Sequence, residues 1–588
     1  VPELPSKVLH IDLSRRRFKV EERAELFKER LGGVGVAVRL LSEECPKGAD
    51  PLGPDNVVVF AVGPLTGVLP MASKTVALFK SPLTKNLGES HAGGRSAVAI
   101  RSAGYGAIVI KGSSATPVYL VVGREGVKFR DASGLWGVAS SFTVGRVIRE
   151  REPGAGVRTI MRIGRAGEKL VSYASVVVET YRHFGRHGLG AVLGGKRVKA
   201  IVVSGERAIE VGDRAGYREL YRKVYDEAVK SALMKKYHEV GTAVNVAPLN
   251  AIGALPTRNL TQRGFEGADA ISGESLAEKY LGRRAACAHC PVACIHLAAL
   301  REPYVDEPYF YKTTFVSYDY EPLYALGSMI GVSDPRGLLK LIHLVDALGL
   351  DAMSTGVALA WATEAYGRRL IGMDETMGLE LKWGDVDTYL KAVRYVVDQP
   401  NEFYASLAKG VEAAASRYGG LDFALSFGSL EMPGYQTGPA AYVGFLTGAR
   451  HSHLDSAGYS LDQRLLKQGG RLSPSEVAAE LLREEAWRQV LCSLVVCLFA
   501  REIYRPALVS EALGLLGLRL SVDELQRLGM EILREKQEFK RREGFDPAGL
   551  RIPKRIVEAS TPLGAISEGE LREAVKRYFE LLFPLASG

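Results

Sequence analysis

Along residues 1–207 the apolar positions come in short runs, and beyond them they recur with helical spacing. Apolar and polar residues alternate over 8–13 and again over 17–20, with a basic turn between, which predicts a β-hairpin. Residues 57–62 are wholly apolar and end in Gly63-Pro64, as a buried strand does. Residues 96–101, 107–111 and 118–122 read as further strands, and Gly123-Arg124-Glu125-Gly126 as a turn into a strand at 127–129. From Val211 onward the period changes: Leu220, Val224 and Ala228 lie four apart in a helix predicted over 214–237. Helices follow at 338–348, 387–397, 405–418, 473–499, 525–543 and 568–582, with Ser473 before Pro474 reading as an N-cap and a first-turn proline. The fold class is α+β: a β-rich N-terminal base domain (1–207) followed by two mainly α-helical domains (208–421 and 422–588).

Composition narrows the function classes. A chain of 588 residues, 47% hydrophobic, has room for several domains with their own cores. The net charge of +9 is scattered rather than gathered into Lys/Arg runs with interleaved aromatics, which argues against nucleic acid. It suits an acidic protein partner such as a ferredoxin, and equally a plain solubility charge. The stretch Val1-Pro2-Glu3-Leu4-Pro5-Ser6-Lys7 has neither apolar core nor cleavage site. No run approaches the roughly eighteen apolar residues of a membrane span, so a soluble, cytoplasmic protein with no membrane contact is expected. Scarce Asn and Gln beside abundant Arg and Glu lean towards a thermophile.

Six cysteines occur, too few and too clustered for a secreted disulfide framework. Cys287, Cys290 and Cys294 form a Cys-x-x-Cys-x-x-x-Cys motif, and further thiols lie far downstream in Leu491-Cys492-Ser493-Leu494-Val495-Val496-Cys497. Three clustered thiolates plus one distant thiolate suit a [4Fe–4S] cluster, one soft ligand per iron. A structural zinc site using the same sulfurs or His289 and His296 is the rival, although no second Cys-x-x-Cys knuckle exists. Radical enzymes that cleave S-adenosylmethionine use the opposite spacing order. Spacing leaves Cys492 and Cys497 both open as the fourth ligand.

Glycine loops divide into decoys and candidate sites. Gly190-Ala191-Val192-Leu193-Gly194-Gly195-Lys196 nearly spells a phosphate-binding loop, but Arg197 stands where the magnesium-binding Ser or Thr belongs, so ATP binding is rejected. Tyr181-Arg182-His183-Phe184-Gly185-Arg186-His187-Gly188 sets arginines among glycines, which permits close backbone approach and bidentate grip of an anion. Ser90-His91-Ala92-Gly93-Gly94-Arg95 has the same character. Two such loops in one domain point to an anionic cofactor.

Taken together the chain resembles the tungsten-containing aldehyde:ferredoxin oxidoreductase family. The resemblance rests on Gly63-Pro64-Leu65-Thr66-Gly67, Lys80-Ser81-Pro82-Leu83-Thr84, Ala103-Gly104-Tyr105-Gly106 and Gly134-Leu135-Trp136-Gly137. It continues through residues 182–190, the cysteine motif, Tyr320-Glu321-Pro322-Leu323-Tyr324, Asp346-Ala347-Leu348-Gly349-Leu350-Asp351, Gly544-Phe545-Asp546-Pro547 and Pro553-Lys554-Arg555. It implies two pyranopterin dithiolenes holding one tungsten (or molybdenum) at the interface of base and helical domains, with Mg2+ bridging the pterin phosphates. Cluster ligands would be Cys287, Cys290, Cys294 and Cys497, the resemblance favouring Cys497 over Cys492. Asp346, Leu350 and Asp351 would form one pterin loop; Lys74, His91, Gly93, Arg182, His183, Gly185 and Arg186 would lie at the phosphates. Glu321 and His453 would handle protons at the metal, the glutamate with a raised pKa. The implied reaction is oxidation of a small-molecule aldehyde with water to a carboxylic acid, with ferredoxin as acceptor.

The chain also departs from the family pattern. The second pterin loop, typically Asp-x-x-Gly-Leu-Cys, opens here with Cys492, so hydrogen bonding to that pterin differs. An Asn becomes His91 and an Arg becomes Lys74, which gives up bidentate geometry. The Glu-x-x-His tied to an interfacial metal in some members is Lys340-Leu341-Ile342-His343, which leaves a homodimer open. Gln436-Thr437-Gly438-Pro439 replaces Asp-Pro-Arg-Gly. A divergent member is expected, with two alternatives: the same fold acting on a non-aldehyde low-potential substrate, or an iron–sulfur electron-transfer protein lacking the pterin.

Overall fold

In the computed structural model, which describes residues 4–179, 181–307 and 309–584, the N-terminal part is two six-stranded sheets packed face to face. Val1, Pro2 and Glu3, part of the stretch read as leaderless, lie outside the described residues. The first sheet runs in the order Arg17–Glu22, Lys7–Asp12, Ala107–Lys111, Val58–Ala61, Thr75–Lys80, Leu87–Ala92. The second runs Arg182–Phe184, Val176–Val178, Val157–Ile163, Val198–Gly205, Val118–Gly123, Gly126–Asp131. Leu9, Phe60 and Ile110 of the first sheet meet Leu120, Met161 and Ile201 of the second in one core. Val59 and Val109 point the other way, against the helix Gly33–Glu44 and the helical residues near 490–539. The first sheet is thus covered on both faces, which is why 57–62 reads as an unbroken apolar run.

The expected hairpin pairs Lys7–Asp12 with Arg17–Glu22, and Val118–Gly123 turns into Gly126–Asp131 as expected. The expectation of a strand at 96–101 is wrong: Ser96–Ser102 is a helix, buried along its whole length between the sheets. A short apolar run without polar alternation carries no period to separate the two states, and here two alanines favour helix. The helix expected over 214–237 breaks at Ser231, which N-caps Ala232–Val240. The helix expected over 473–499 begins at Pro474, with the capping box of Ser473 and Glu476, but stops at Ser493. Val495 then takes a left-handed backbone (φ 54°), costly for a β-branched residue and held by its neighbours.

The helical parts follow, sharing a core from Ala243 to Leu582. Within them lies an unexpected antiparallel sheet of Leu281–Ala285, Ile295–Pro303 and Tyr311–Tyr318. The cysteine motif is the connection between its first two strands.

Candidate functional site

A cavity of about 330 Å3 lies where the open edges of both N-terminal sheets meet the helices. Its lining includes Lys74, His91, Gly93, Arg182, His183, Gly185, Arg186, Cys287, Cys290, Cys294, Glu321, Asp346, Leu350, Asp351, His453 and Cys497. Sequence-predicted residues spread over more than four hundred positions thus share one wall system, with Cys492 the exception.

The edge strands Leu87–Ala92 and Arg182–Phe184 come together here, and Arg186 N–H donates to Ser90 Oγ at 3.4 Å. Arg182 Nη1 reaches Asp319 Oδ2 at 3.1 Å, while its Nε and Nη2 have no partner among the described residues. Burial alone would lower the Arg182 pKa, but Asp319 and the thiols of Cys287 and Cys294 outweigh it and push it up. Arg186 donates from Nε to Asp351 (3.1 Å) and from Nη2 to the Glu431 carbonyl (2.7 Å), leaving Nη1 unpartnered. His183 Nε2 stands 3.3 Å from Asp346 Oδ1, out of line for a hydrogen bond, and burial drives its pKa down to about 3. Buried donors without acceptors cost about 1–3 kcal/mol each, so this wall is built for a ligand rich in acceptor oxygens. Gly93 is required by space: a Cβ there would stand 2.7 Å from Cys287 Sγ. Nothing approaches within 4 Å of a Cβ on Gly185, so that position is open for other reasons than crowding.

The helix Pro335–Leu348 ends at Gly349, whose left-handed φ of 75° turns the chain into Leu350 and the N-cap Asp351. The loop is pinned to the base by Ser175 Oγ on the Leu350 carbonyl (3.2 Å) and by Asp351 N–H on the Tyr173 carbonyl (3.0 Å). Asp351 caps through Met353 N–H and also takes Ser354 Oγ at 2.6 Å. Burial, then the nearby Asp319, pushes the Asp346 pKa up to about 8.

The loop after Met71 joins the two cysteine segments: Met71 N–H donates to the His289 carbonyl (3.0 Å) and its carbonyl accepts from Cys497 N–H (2.8 Å). Cys497 therefore faces the other three thiols. Cys492 sits on the last turn of Pro474–Ser493, 3% exposed and outside the cavity lining, its thiol pushed up to about 11 by burial. Burial raises Cys290 to about 11 and also raises Cys294. Burial alone would lower the Lys74 pKa, but the charges of Cys497 and Cys287 together with Cys294 outweigh it and raise it. Neither His289 nor His296 lines the cavity; His296 Nδ1 binds the Cys294 carbonyl at 3.1 Å. Among the described residues no three His, Cys, Asp or Glu side chains gather on a single-ion site.

Glu321 lies in the first turn of Tyr320–Leu326, whose N-cap Asp319 is turned away to Arg182. His453 opens the short helix His453–Ser456, fixed by the capping box of Ser452 and Asp455. Glu321 Oε1 and His453 Nε2 are 3.3 Å apart. The expected raised pKa of Glu321 is not found. Burial alone would raise it, but the hydrogen bond and charge of His453 bring it below the usual value. His451, the other histidine of the loop, points elsewhere, to the Phe445 carbonyl and Lys540.

Several lining residues escaped the sequence reading. Glu89 is fully buried between Lys536 (2.5 Å), Arg450 (3.5 Å) and His91 (2.7 Å), and burial followed by Arg450 lowers His91 to about 4. Tyr237, Tyr435, Tyr459 and Phe499 were also missed. Only the outward alternation of Leu87–Ala92 could have signalled Glu89; the aromatics carry no local signal. Lys340 is paired with Glu302 at 2.7 Å, and His343 stacks on Phe142 at 5.3 Å.

Whole-chain comparisons define the class first: this is an oxidoreductase, and its relatives are redox enzymes along their full length. The chain belongs to the aldehyde ferredoxin oxidoreductase family. Residues 8–205 match its profile described as "Aldehyde ferredoxin oxidoreductase, N-terminal domain", and residues 219–582 match "Aldehyde ferredoxin oxidoreductase, domains 2 & 3". It is 32% identical to a tungsten-containing aldehyde ferredoxin oxidoreductase of Thermococcus kodakarensis, over 98% of this chain and 95% of that one. It is 30% identical to an aliphatic sulfonate oxidoreductase, WOR-like subunit, of Pyrococcus furiosus, over 70% of this chain and 66% of that one. The fold matches the active site complex BamBC of benzoyl coenzyme A reductase with a TM-score of 0.82 at 20% identity, covering 98% and 94% of the two chains. Among the described residues no helix is long and apolar enough to cross a membrane.

Proposed function

We propose that this chain oxidises an aldehyde with water to a carboxylic acid in this cavity and passes the electrons to ferredoxin. The balance is R–CHO plus H2O giving R–COOH, two protons and two electrons. The observation that carries the reading is the meeting of four thiols, arginines with unpartnered nitrogens and a Glu–His pair on one cavity.

The donor set fits the cofactors the family name implies. Arg182, Arg186 and Lys74 would grip the pterin phosphates, with His91 and the uncharged His183 nearby, and Gly93 and Gly185 would leave room beside them. Asp346, Asp351 and Leu350 would meet the pterin ring edge, where carboxyl oxygens suit ring N–H groups. Cys287, Cys290, Cys294 and Cys497 would hold a [4Fe–4S] cluster, and the flanking Lys74 and Arg182 offset the cost of gathering thiolates. When bound, a tungsten (or molybdenum) bis-pyranopterin supplies the two-electron oxidation. Glu321, kept ionised by His453, accepts the proton, and His453 provides the hydrogen-bond donor for the carbonyl oxygen.

Protein made in a host supplied with tungstate and molybdate, assayed with an aldehyde panel and a viologen dye, tests this. Dye reduction with aldehydes is expected. Bound metal with silence towards every aldehyde, and turnover of an aliphatic sulfonate, would favour the non-aldehyde alternative that the sulfonate-oxidoreductase relative motivates. No tungsten, no molybdenum and no pterin fluorescence on denaturation would leave an iron–sulfur electron-transfer protein.

A further inference from the structure

Beside Glu321 and His453 the cavity wall is aromatic, and its rings come from two different cores. Tyr237, from the helix Ala232–Val240, packs on Phe499 at 4.8 Å between ring centres; both belong to the core that joins the helices to the base. Tyr435 and Tyr459 stack at 4.2 Å with planes 23° apart, and belong to the upper helical core. His453 lies 5.0 Å from the Tyr435 ring and 6.0 Å from Tyr459. Tyr237 and Phe499 line the same cavity as Tyr435, Tyr459, Glu321 and His453.

The polar fittings of this end are specific. The hydroxyls of Tyr237, Tyr435 and Tyr459 make no hydrogen bond among the described residues, and neither does the Asn245 amide. Arg501 also lines the cavity: Nη1 holds the Leu498 carbonyl at 3.1 Å and Nε is 3.6 Å from the exposed Glu502, which leaves Nη2 without an acceptor among the described residues. A flat ring between two tyrosine-rich pairs gains about 0.5–1.5 kcal/mol per aromatic contact beyond area burial. The remaining guanidinium nitrogen of Arg501, in the lining of the same cavity, is a charged donor suited to an anion.

We propose that the substrate is an aromatic aldehyde bearing an anionic ring substituent, its ring held between Tyr237–Phe499 and Tyr435–Tyr459 and its anionic group paired with Arg501. This rests on the aldehyde reading above. The carbonyl carbon then lies towards Glu321 and His453, and the product carries the new carboxylate as a second anionic group on the ring.

Two measurements on the holoenzyme separate the two claims. In turnover, 4-formylbenzoate is expected to exceed benzaldehyde in kcat/KM by about tenfold or more, the value of one charge-assisted hydrogen bond. Benzaldehyde should in turn exceed cyclohexanecarbaldehyde by about threefold to tenfold. Arg501→Gln should collapse the first ratio and leave the second, with Arg501→Lys restoring the first in part. Equal use of all three aldehydes, or an unchanged first ratio in Arg501→Gln, would overturn the proposal. In calorimetry, benzene-1,4-dicarboxylate should bind about tenfold tighter than cyclohexane-1,4-dicarboxylate or benzoate, with the anion preference lost in Arg501→Gln. If no aldehyde is oxidised, the reaction assignment fails and the binding titration alone decides: ring and anion preference sustain the slot, and their absence refutes it.

Discussion

The wall that the β base gives the cavity is cationic and full of donors without acceptors, whereas the helices set the Glu321–His453 pair among aromatic rings. Among the described residues Arg182 keeps two buried guanidinium nitrogens unpaired and Arg186 one, and their remaining nitrogens are tied to Asp319, Asp351 and the Glu431 carbonyl. Glu321 and His453 Nε2 instead meet each other at 3.3 Å with tyrosines around them, and His453 Nδ1 alone of the pair has no partner among the described residues. The first arrangement stores unmet hydrogen-bonding demand in a rigid sheet edge, which suits a group that binds and stays. The second asks of a ligand shape, one proton and an anionic group for Arg501, which suits a molecule that arrives, reacts and leaves.

The largest effect expected from breaking this contrast comes from the cationic wall. Arg186→Ala should cut the pterin recovered on denaturation by at least about tenfold, and activity with it, because a charge-assisted anchor is worth about 1.5–3 kcal/mol. Arg186→Lys keeps the charge, guards against a mere folding defect, and should retain part of the pterin. Full pterin content in Arg186→Ala would erase the distinction between the walls. On the other wall, Glu321→Gln should leave metal and pterin in place while kcat falls by about a hundred- to ten-thousand-fold. The pH profile sharpens the point. Glu321 is held below its ordinary value of 4.5, so the acid limb of kcat/KM should lie below pH 4.5. Removing the partner in His453→Gln leaves burial dominant, raises the glutamate's pKa, and should move that limb upward.

Much of this architecture is written in local pattern, and the misses have a physical cause. Glu568–Leu582 has the bounds its apolar spacing predicts, and its Ser567 caps it through Glu570. Ser96–Ser102 is misread because a fully buried run of small and branched residues looks alike as strand or helix. The sheet that holds the cysteine motif went unseen because its long strands interrupt a region of helical texture. Cysteine spacing located three of the thiols, but Cys492 and Cys497 differ only in which side of a broken helix end they face. That is decided by the Met71 backbone contacts and the left-handed Val495. The sign of the Glu321 shift was hidden for the same reason: burial is partly legible in composition, whereas a histidine partner far along the chain is not. The aromatic slot, assembled from four separate segments, had no local signature at all.

The central claim is that one cavity holds a metal–pterin group and, beside it, an iron–sulfur cluster on Cys497 rather than Cys492. Anomalous diffraction at the tungsten, molybdenum and iron edges, on crystals of protein from a host supplied with both heavy metals, tests it directly. A tungsten or molybdenum peak in the cavity and iron peaks among Cys287, Cys290, Cys294 and Cys497 are expected, with none at Cys492. A cavity with neither heavy metal, or iron bound by Cys492, would contradict it.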